Sequence, residues 1–186
     1  MKIKDFRERP LLFIDLEMSG LNPLIHEILE VGVLVVDGKT LGIKAEYEAK
    51  VKPEHIETAD PLALRINGYK TENWKDAKPL KKILEDLNKL APEGMIVGFN
   101  VVFDSMFLDL GFRKFNIKPN FDYHILDVLS LAWAYVLPDS NVHEVKLSTL
   151  CKHFGIERKE KHRALADIKA TYELFTKLMG IRQLGN

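Results

Sequence analysis

One cysteine in 186 residues, Cys151, is all that the chain carries. A lone thiol excludes an internal disulfide and any cysteine-rich zinc site, and it suits a reducing interior. Charge of one sign is lacking too: 27 basic residues cancel 27 acidic ones, which argues against a protein that holds nucleic acid by bulk charge. A nucleic-acid enzyme stays open, because metal ions and a few lysines can supply a local positive field. No hydrophobic run approaches the length that crosses a bilayer, and the opening MKIKDFRERP has charges where a signal peptide has its apolar core. The expected location is therefore cytoplasmic, with no membrane partner. Internal repeats, low-complexity tracts and long linkers are also missing. What is present, 46% hydrophobic and 29% charged residues, predicts one soluble folded domain over residues 1–186 with a sizeable core.

Hydrophobic periodicity divides the chain into strands followed by alternating helices and strands. LLFIDL is apolar on both faces, with Leu12, Ile14 and Leu16 pointing one way and Leu11, Phe13, Asp15 and Glu17 the other, so it reads as a central strand. EILEVGVLVVDG reads as a second strand closed by a turn at Asp37 and Gly38, and IKAEYEAKV as a third. PLALRING is a short helix stopped by Gly68, and KPLKKILEDLNKLA places Leu80, Ile83, Leu84, Leu87 and Leu90 at helical spacing. MIVGF, a helix at VVFDSMFLDLGFRKF, a fifth strand at FDYHILDV, and helices at LSLAWAYVL, LSTLCKHFG and LADIKATYELFTKLM complete the series. The order predicts an α/β fold with a five-stranded sheet of mixed direction.

The chemistry starts from Asp15 and Glu17, which alternate on one strand and so emerge from the same face. Two ionised acids side by side in an apolar setting repel and resist desolvation, and a hard divalent cation with oxygen ligands resolves both costs. Asp104 follows the fourth strand, near the start of a helix, where short βα connections tend to hold functional groups. His162 and Asp167 are five apart, which on one continuous helix would turn them about 140° from each other. We therefore expect His162 on an approach loop and Asp167 in the first turns of the last helix, both aimed at one cleft. Four acids and a histidine suit phosphodiester hydrolysis with two metals about 4 Å apart. Magnesium or manganese is favoured over zinc, because the set is carboxylate-rich and thiol-free. In that scheme Asp15 bridges the ions, Glu17 and Asp167 serve the one that carries the nucleophile, Asp104 holds the second, and His162 accepts the proton of the attacking water.

At these positions the chain resembles the DEDDh family of 3′-to-5′ exonucleases. IDLEMSGL is similar to the first family motif and is especially close to oligoribonucleases, GFNVVFDSMFL is similar to the second, and HRALADIKATYELF to the third with its H-x-A-x-x-D spacing. INGYKTENWKDAKPLKKIL, and ILDVLSLAWAY followed by LSTLCKHFGI, resemble the intervening elements of proofreading-type relatives. The resemblance runs from about Leu11 to Met179. It implies a ribonuclease H-like fold with helices on both faces of the sheet, two divalent ions, and release of mononucleotides from a single-stranded 3′ end of DNA or RNA. By position it makes Asp15, Glu17, Asp104 and Asp167 the metal acids and His162 the general base. It also makes Met18, Ser19, Leu21, Asn100 and Phe103 the substrate-contacting set, with Leu21 a wedge between the last bases. Phe99 stands where many proofreading relatives have histidine, and Phe103 precedes Asp104 where oligoribonucleases usually have glutamine. Substrate choice between longer single strands and very short RNA stays open, as does a polymerase or a second copy as partner.

Taken singly, these residues have plainer readings. Asp15 and Glu17 fit a surface ladder, Asp104 a helix N-terminus, and His162 and Asp167 a solvated surface; only the ordered set departs from that. A nucleic-acid-binding module with little catalysis, or an endonuclease on the same fold, would also carry much of the pattern. His26, His55, His124, His143 and His153 form no ligand pair and read as non-catalytic. Trp74, Trp133 and the phenylalanines read as core, and Cys151 as buried filler among Leu147, Leu150 and Phe154. Arg158, Lys159, Lys161 and Arg163 read as a solvated face, with a phosphate contact open to them through their place beside His162.

Overall fold

Leu11–Met18 (β1) is flanked on both sides in the sheet, as its two apolar faces require, pairing antiparallel with Ile28–Val36 (β2) and parallel with Gly94–Gly98 (β4). Ile43–Lys50 (β3) adds antiparallel to β2, and Phe121–Asp127 (β5) adds parallel to β4. The sheet is five-stranded and mixed, in the order β3-β2-β1-β4-β5. This computed structural model describes residues 5–158 and 163–184, with side chains up to residue 180. The helices are Pro61–Ile66 (α1), Leu80–Leu90 (α2), Val102–Lys114 (α3), Val128–Val136 (α4), Leu147–His153 (α5) and Ala164–Leu184 (α6).

Alternation along β1 sorts the helices onto two faces. Leu12, Ile14 and Leu16 pack with Ile83, Leu84 and Leu87 of α2 and Phe107, Leu108 and Phe112 of α3. Leu11 and Phe13 pack on the other side with Ala132 of α4, Leu150 of α5, and Ile168, Leu174 and Phe175 of α6. Phe13 is fully buried and meets Tyr172 and Phe175 edge-on, with centroids 5.5 and 5.4 Å away; burying a side chain of this size contributes about 1.5–3 kcal/mol. Asp15 and Glu17 continue the Leu11–Phe13 row, so they leave the sheet toward α6. The expected placement of Asp167 at the start of the last helix is the observed one, in the first turn of α6.

Among the residues read as core, Phe6, at 75% exposed, and Trp133 need correction. Trp133 is 52% exposed rather than core, because LSLAWAYV is apolar all round and α4 buries only Val128, Ala132 and Val136. Trp74 is buried as expected, and its indole Nε1 donates to the Leu29 carbonyl at 3.0 Å. Cys151 is also buried as expected. Among the described residues, no helix is long and apolar enough to cross a membrane.

Candidate functional site

The end of β1 carries the first two acids, and its neighbour β2 shapes what faces them. Glu17 sits directly across from Glu30, and the register shifts immediately after this pair, so that Met18 faces Ile28. Like charges opposed on adjacent strands repel. Glu30 is 1% exposed and is compensated: its Oε1 accepts from Arg163 Nε and from the Ala164 backbone N–H, both at 3.1 Å. Ala164 is the first residue of α6, so this buried carboxylate satisfies one of the helix's free N–H groups. Two residues along β2, Gly32 lies under the same helix start. A Cβ there would stand 2.3 Å from the Ala164 carbonyl carbon and 2.4 Å from the Leu165 nitrogen. Only a residue without a side chain lets α6 come down this close.

With α6 seated in this way, Asp167 joins the β1 acids: one carboxylate oxygen from each of Asp15, Glu17 and Asp167 lies within 4.8 Å of the other two. Asp104 arrives from the opposite layer, in the first turn of α3, and its Oδ1 accepts the Leu16 backbone N–H at 2.9 Å. The preceding loop is drawn in by Asp127, at the end of β5, whose Oδ1 accepts the N–H of Asn100 at 2.8 Å while its carboxylate also caps α4. Asn100 holds φ at 58°, a left-handed conformation that asparagine tolerates better than most residues.

Crowding of these acids shows in their protonation. Burial, and then the charges of Asp104, Glu17 and Asp167, push the Asp15 carboxyl well above the usual carboxylate range. Burial, followed by Asp167 and Glu30, raises Glu17 to about 8. Burial likewise raises Asp104 to about 7, against the opposing hydrogen bond from Leu16. Hard oxygen donors as close as those of Asp15, Glu17 and Asp167, desolvated and mutually repelling, fit a divalent cation of the magnesium or manganese kind; among the described residues neither thiolate nor imidazole joins them.

The substrate-contacting set divides. Met18 is partly buried, and its carbonyl accepts from the Asn67 amide at 3.1 Å. Leu21, Asn100 and Phe103 present exposed side chains around the same end of the sheet. Ser19 does not: it is fully buried, and its hydroxyl oxygen accepts the Glu27 N–H at 2.8 Å, so it shapes the turn after β1. His162, with Lys159 and Lys161, lies outside the described residues. The expectation of a solvated basic face fails at both arginines that are described. Arg163 is tied to Glu30 and Glu48, and Arg158 forks onto the carboxylate of Asp167. Glu30 and Arg158 are the residues that sequence reading missed. An acid inside the apolar run ILEVGVLVV was a usable signal for the first; nothing local distinguished the second from its neighbours.

Comparison with known proteins places this geometry. Residues 12–175 match the RNase_T family, described as exonuclease. The chain is 28% identical over 176 residues to DNA polymerase III PolC-type of Oceanobacillus iheyensis, and 27% identical over 172 residues to that of Bacillus subtilis. These alignments cover 95% and 92% of the chain, which spans only 12% of the length of each polymerase. Among solved structures, the zinc-bound complex of Escherichia coli exonuclease I with single-stranded DNA superposes with a TM-score of 0.81 at 22% identity, covering 96% of this chain and 42% of that one. The product-bound form of exonuclease I gives 0.79 at 22% identity, with 95% and 44% covered. These likenesses identify the ribonuclease H-like fold. The match over most of its length settles the family: the chain belongs to the RNase_T exonucleases, the DEDD group of 3′-to-5′ exonucleases.

Proposed function

We propose that this chain, as a single domain over residues 1–186, hydrolyses single-stranded nucleic acid from the 3′ end and releases nucleoside monophosphates, with two magnesium or manganese ions held by Asp15, Glu17, Asp104 and Asp167. The observation that carries this reading is the meeting of the Asp15, Glu17 and Asp167 carboxylates within 4.8 Å, from the first strand and the last helix of the chain. When bound, such a pair of ions lowers the pKa of an attacking water and stabilises charge on the leaving oxygen. The protein's own share is to confine the acids, to keep Asp104 oriented through the Leu16 N–H, and to supply His162 as the base that takes the proton from water. Exposed Leu21, Asn100 and Phe103 line the approach on which an unpaired end would rest.

Likeness to DNA polymerases and to an exonuclease bound to single-stranded DNA supports DNA as the polymer and a polymerase as the partner to test first, and a cytoplasmic setting accords with both. IDLEMSGL supports the second reading, an oligoribonuclease acting on very short RNA. One time course separates them: matched 3′-labelled DNA and RNA, as dinucleotides and as longer strands, with magnesium, manganese or chelator. Mononucleotides appearing only with metal, and only from wild-type protein and not from Asp15→Ala, is the expected result. Equal trimming by Asp15→Ala would remove the proposal, and internal cuts on circular substrate would turn it into an endonuclease.

A further inference from the structure

Both oxygens of Asp167 are taken by one side chain. Arg158 donates from Nε to Oδ1 at 2.6 Å and from Nη2 to Oδ2, and the two side chains are only 10% and 8% exposed. A fork of this kind commits the carboxylate face that a metal would use, so Asp167 must loosen at least one of these bonds before it can ligate a cation. A guanidinium and a divalent ion also repel when they contend for the same oxygens. Arg158 is placed to withdraw: it lies in the stretch between α5 and α6, in neither helix nor strand, so its side chain can swing away without breaking a helix or a sheet ladder. Its charge also reaches Asp15 and Glu17, which makes it a cation for the whole cluster.

Building on the proposed role of Asp167 as a metal ligand, we infer that Arg158 is a positioning residue acting through it: an internal counter-cation that orders the acids and that a divalent ion must displace in order to bind. The structure thereby sets the metal affinity of the site below what the acids alone would give. A merely structural ion pair has the opposite consequence, since its loss would loosen the site and weaken metal binding.

Manganese alone, titrated into the full chain without nucleic acid and followed by the electron paramagnetic resonance of free Mn²⁺, separates the two. Arg158→Gln is expected to bind about tenfold more tightly than wild type, because the Asp167 carboxylate no longer has the nearly buried Arg158 fork to give up. Arg158→Lys, which keeps charge but not the fork, should fall between, at about threefold. The metal-free Gln variant should also melt earlier than wild type, with saturating Mn²⁺ closing the gap. Equal or weaker Mn²⁺ affinity in Arg158→Gln overturns the inference and leaves the proposed function standing. Absence of Mn²⁺ binding in wild type and variants alike overturns both. Should the Gln variant fail to fold, Lys decides: affinity at or below wild type overturns the inference.

Discussion

Replacing Glu17 by glutamine should make the metal-free protein more stable while destroying its activity. In the folded chain Glu17 titrates at about 8, raised first by burial and then by Asp167 and Glu30; its ordinary value is 4.5. Above that ordinary value the unfolded chain has lost a proton that the folded chain still holds. Wild-type stability therefore falls as pH rises from about 4.5 to about 8, and then levels. At about pH 7 the penalty from this one group is of order 3 kcal/mol, and near pH 5 it is below about 1 kcal/mol. Glutamine has nearly the shape of the protonated acid, carries no charge, and offers an amide hydrogen to its acidic neighbours. In chelator the Glu17→Gln protein should thus gain up to about 3 kcal/mol at neutral pH, or about 6–12 °C in Tm for a chain of this size. Thermal unfolding of both proteins in chelator, at neutral and at mildly acidic pH, reads this directly. Magnesium should stabilise wild type and leave the variant nearly unmoved. No gain, or the same gain at both pH values, would refute the assignment of Glu17 to a crowded, desolvated acid cluster.

Other perturbations test the neighbouring residues. His162→Ala should slow metal-dependent trimming by about 10²–10⁴-fold while leaving Mn²⁺ affinity close to wild type, since its proposed task is proton transfer; a comparable loss of metal binding would make it a ligand instead. Metal affinity should climb with pH through the interval from about 7 to about 8, as Asp104 and Glu17 give up their protons to the ion. Calorimetry in buffers of different ionisation enthalpy should detect those released protons, and pH-independent affinity would contradict the crowding. Gly32→Ala should cost about 1–3 kcal/mol and most of the activity, because a methyl group 2.3 Å from the Ala164 backbone displaces the start of α6; wild-type activity in that variant would show that the seat of α6 has slack.

Much of this was legible because the elements that carry the acids are those with the strongest patterns. Alternation along LLFIDLE put Asp15 and Glu17 on one face, and it held because β1 is covered by helices on both sides. The separation of five from His162 to Asp167 already argued for Asp167 in the first turns of the last helix, and α6 begins at Ala164. Reading failed where a side chain's fate depends on partners far along the chain. Glu30 is buried because Arg163 and the Ala164 N–H come to it from more than a hundred positions away. Arg158 sits among charges of both signs, and composition cannot say which member of such a stretch folds inward. Ser19 and Trp133 are the same problem in reverse, a polar residue enclosed by its turn and an aromatic one left outside by a helix that is apolar on every side.

Glu30 and Gly32 have a consequence for the order in which the molecule assembles. The strands and the first five helices can come together with Glu17 facing Glu30 and with Asp167 still far away, so the repulsion that Asp167 adds to Asp15 and Glu17 waits until the last helix docks. That closing step brings Asp167 to the strand acids while it buries Ile168, Leu174 and Phe175 against Phe13 and gives Glu30 its partners, so cohesion and repulsion enter together. Amide hydrogen exchange at the start of α6 should then report on divalent ions more sensitively than exchange anywhere in the sheet, because the seat of this helix is where the strand acids gain their third member.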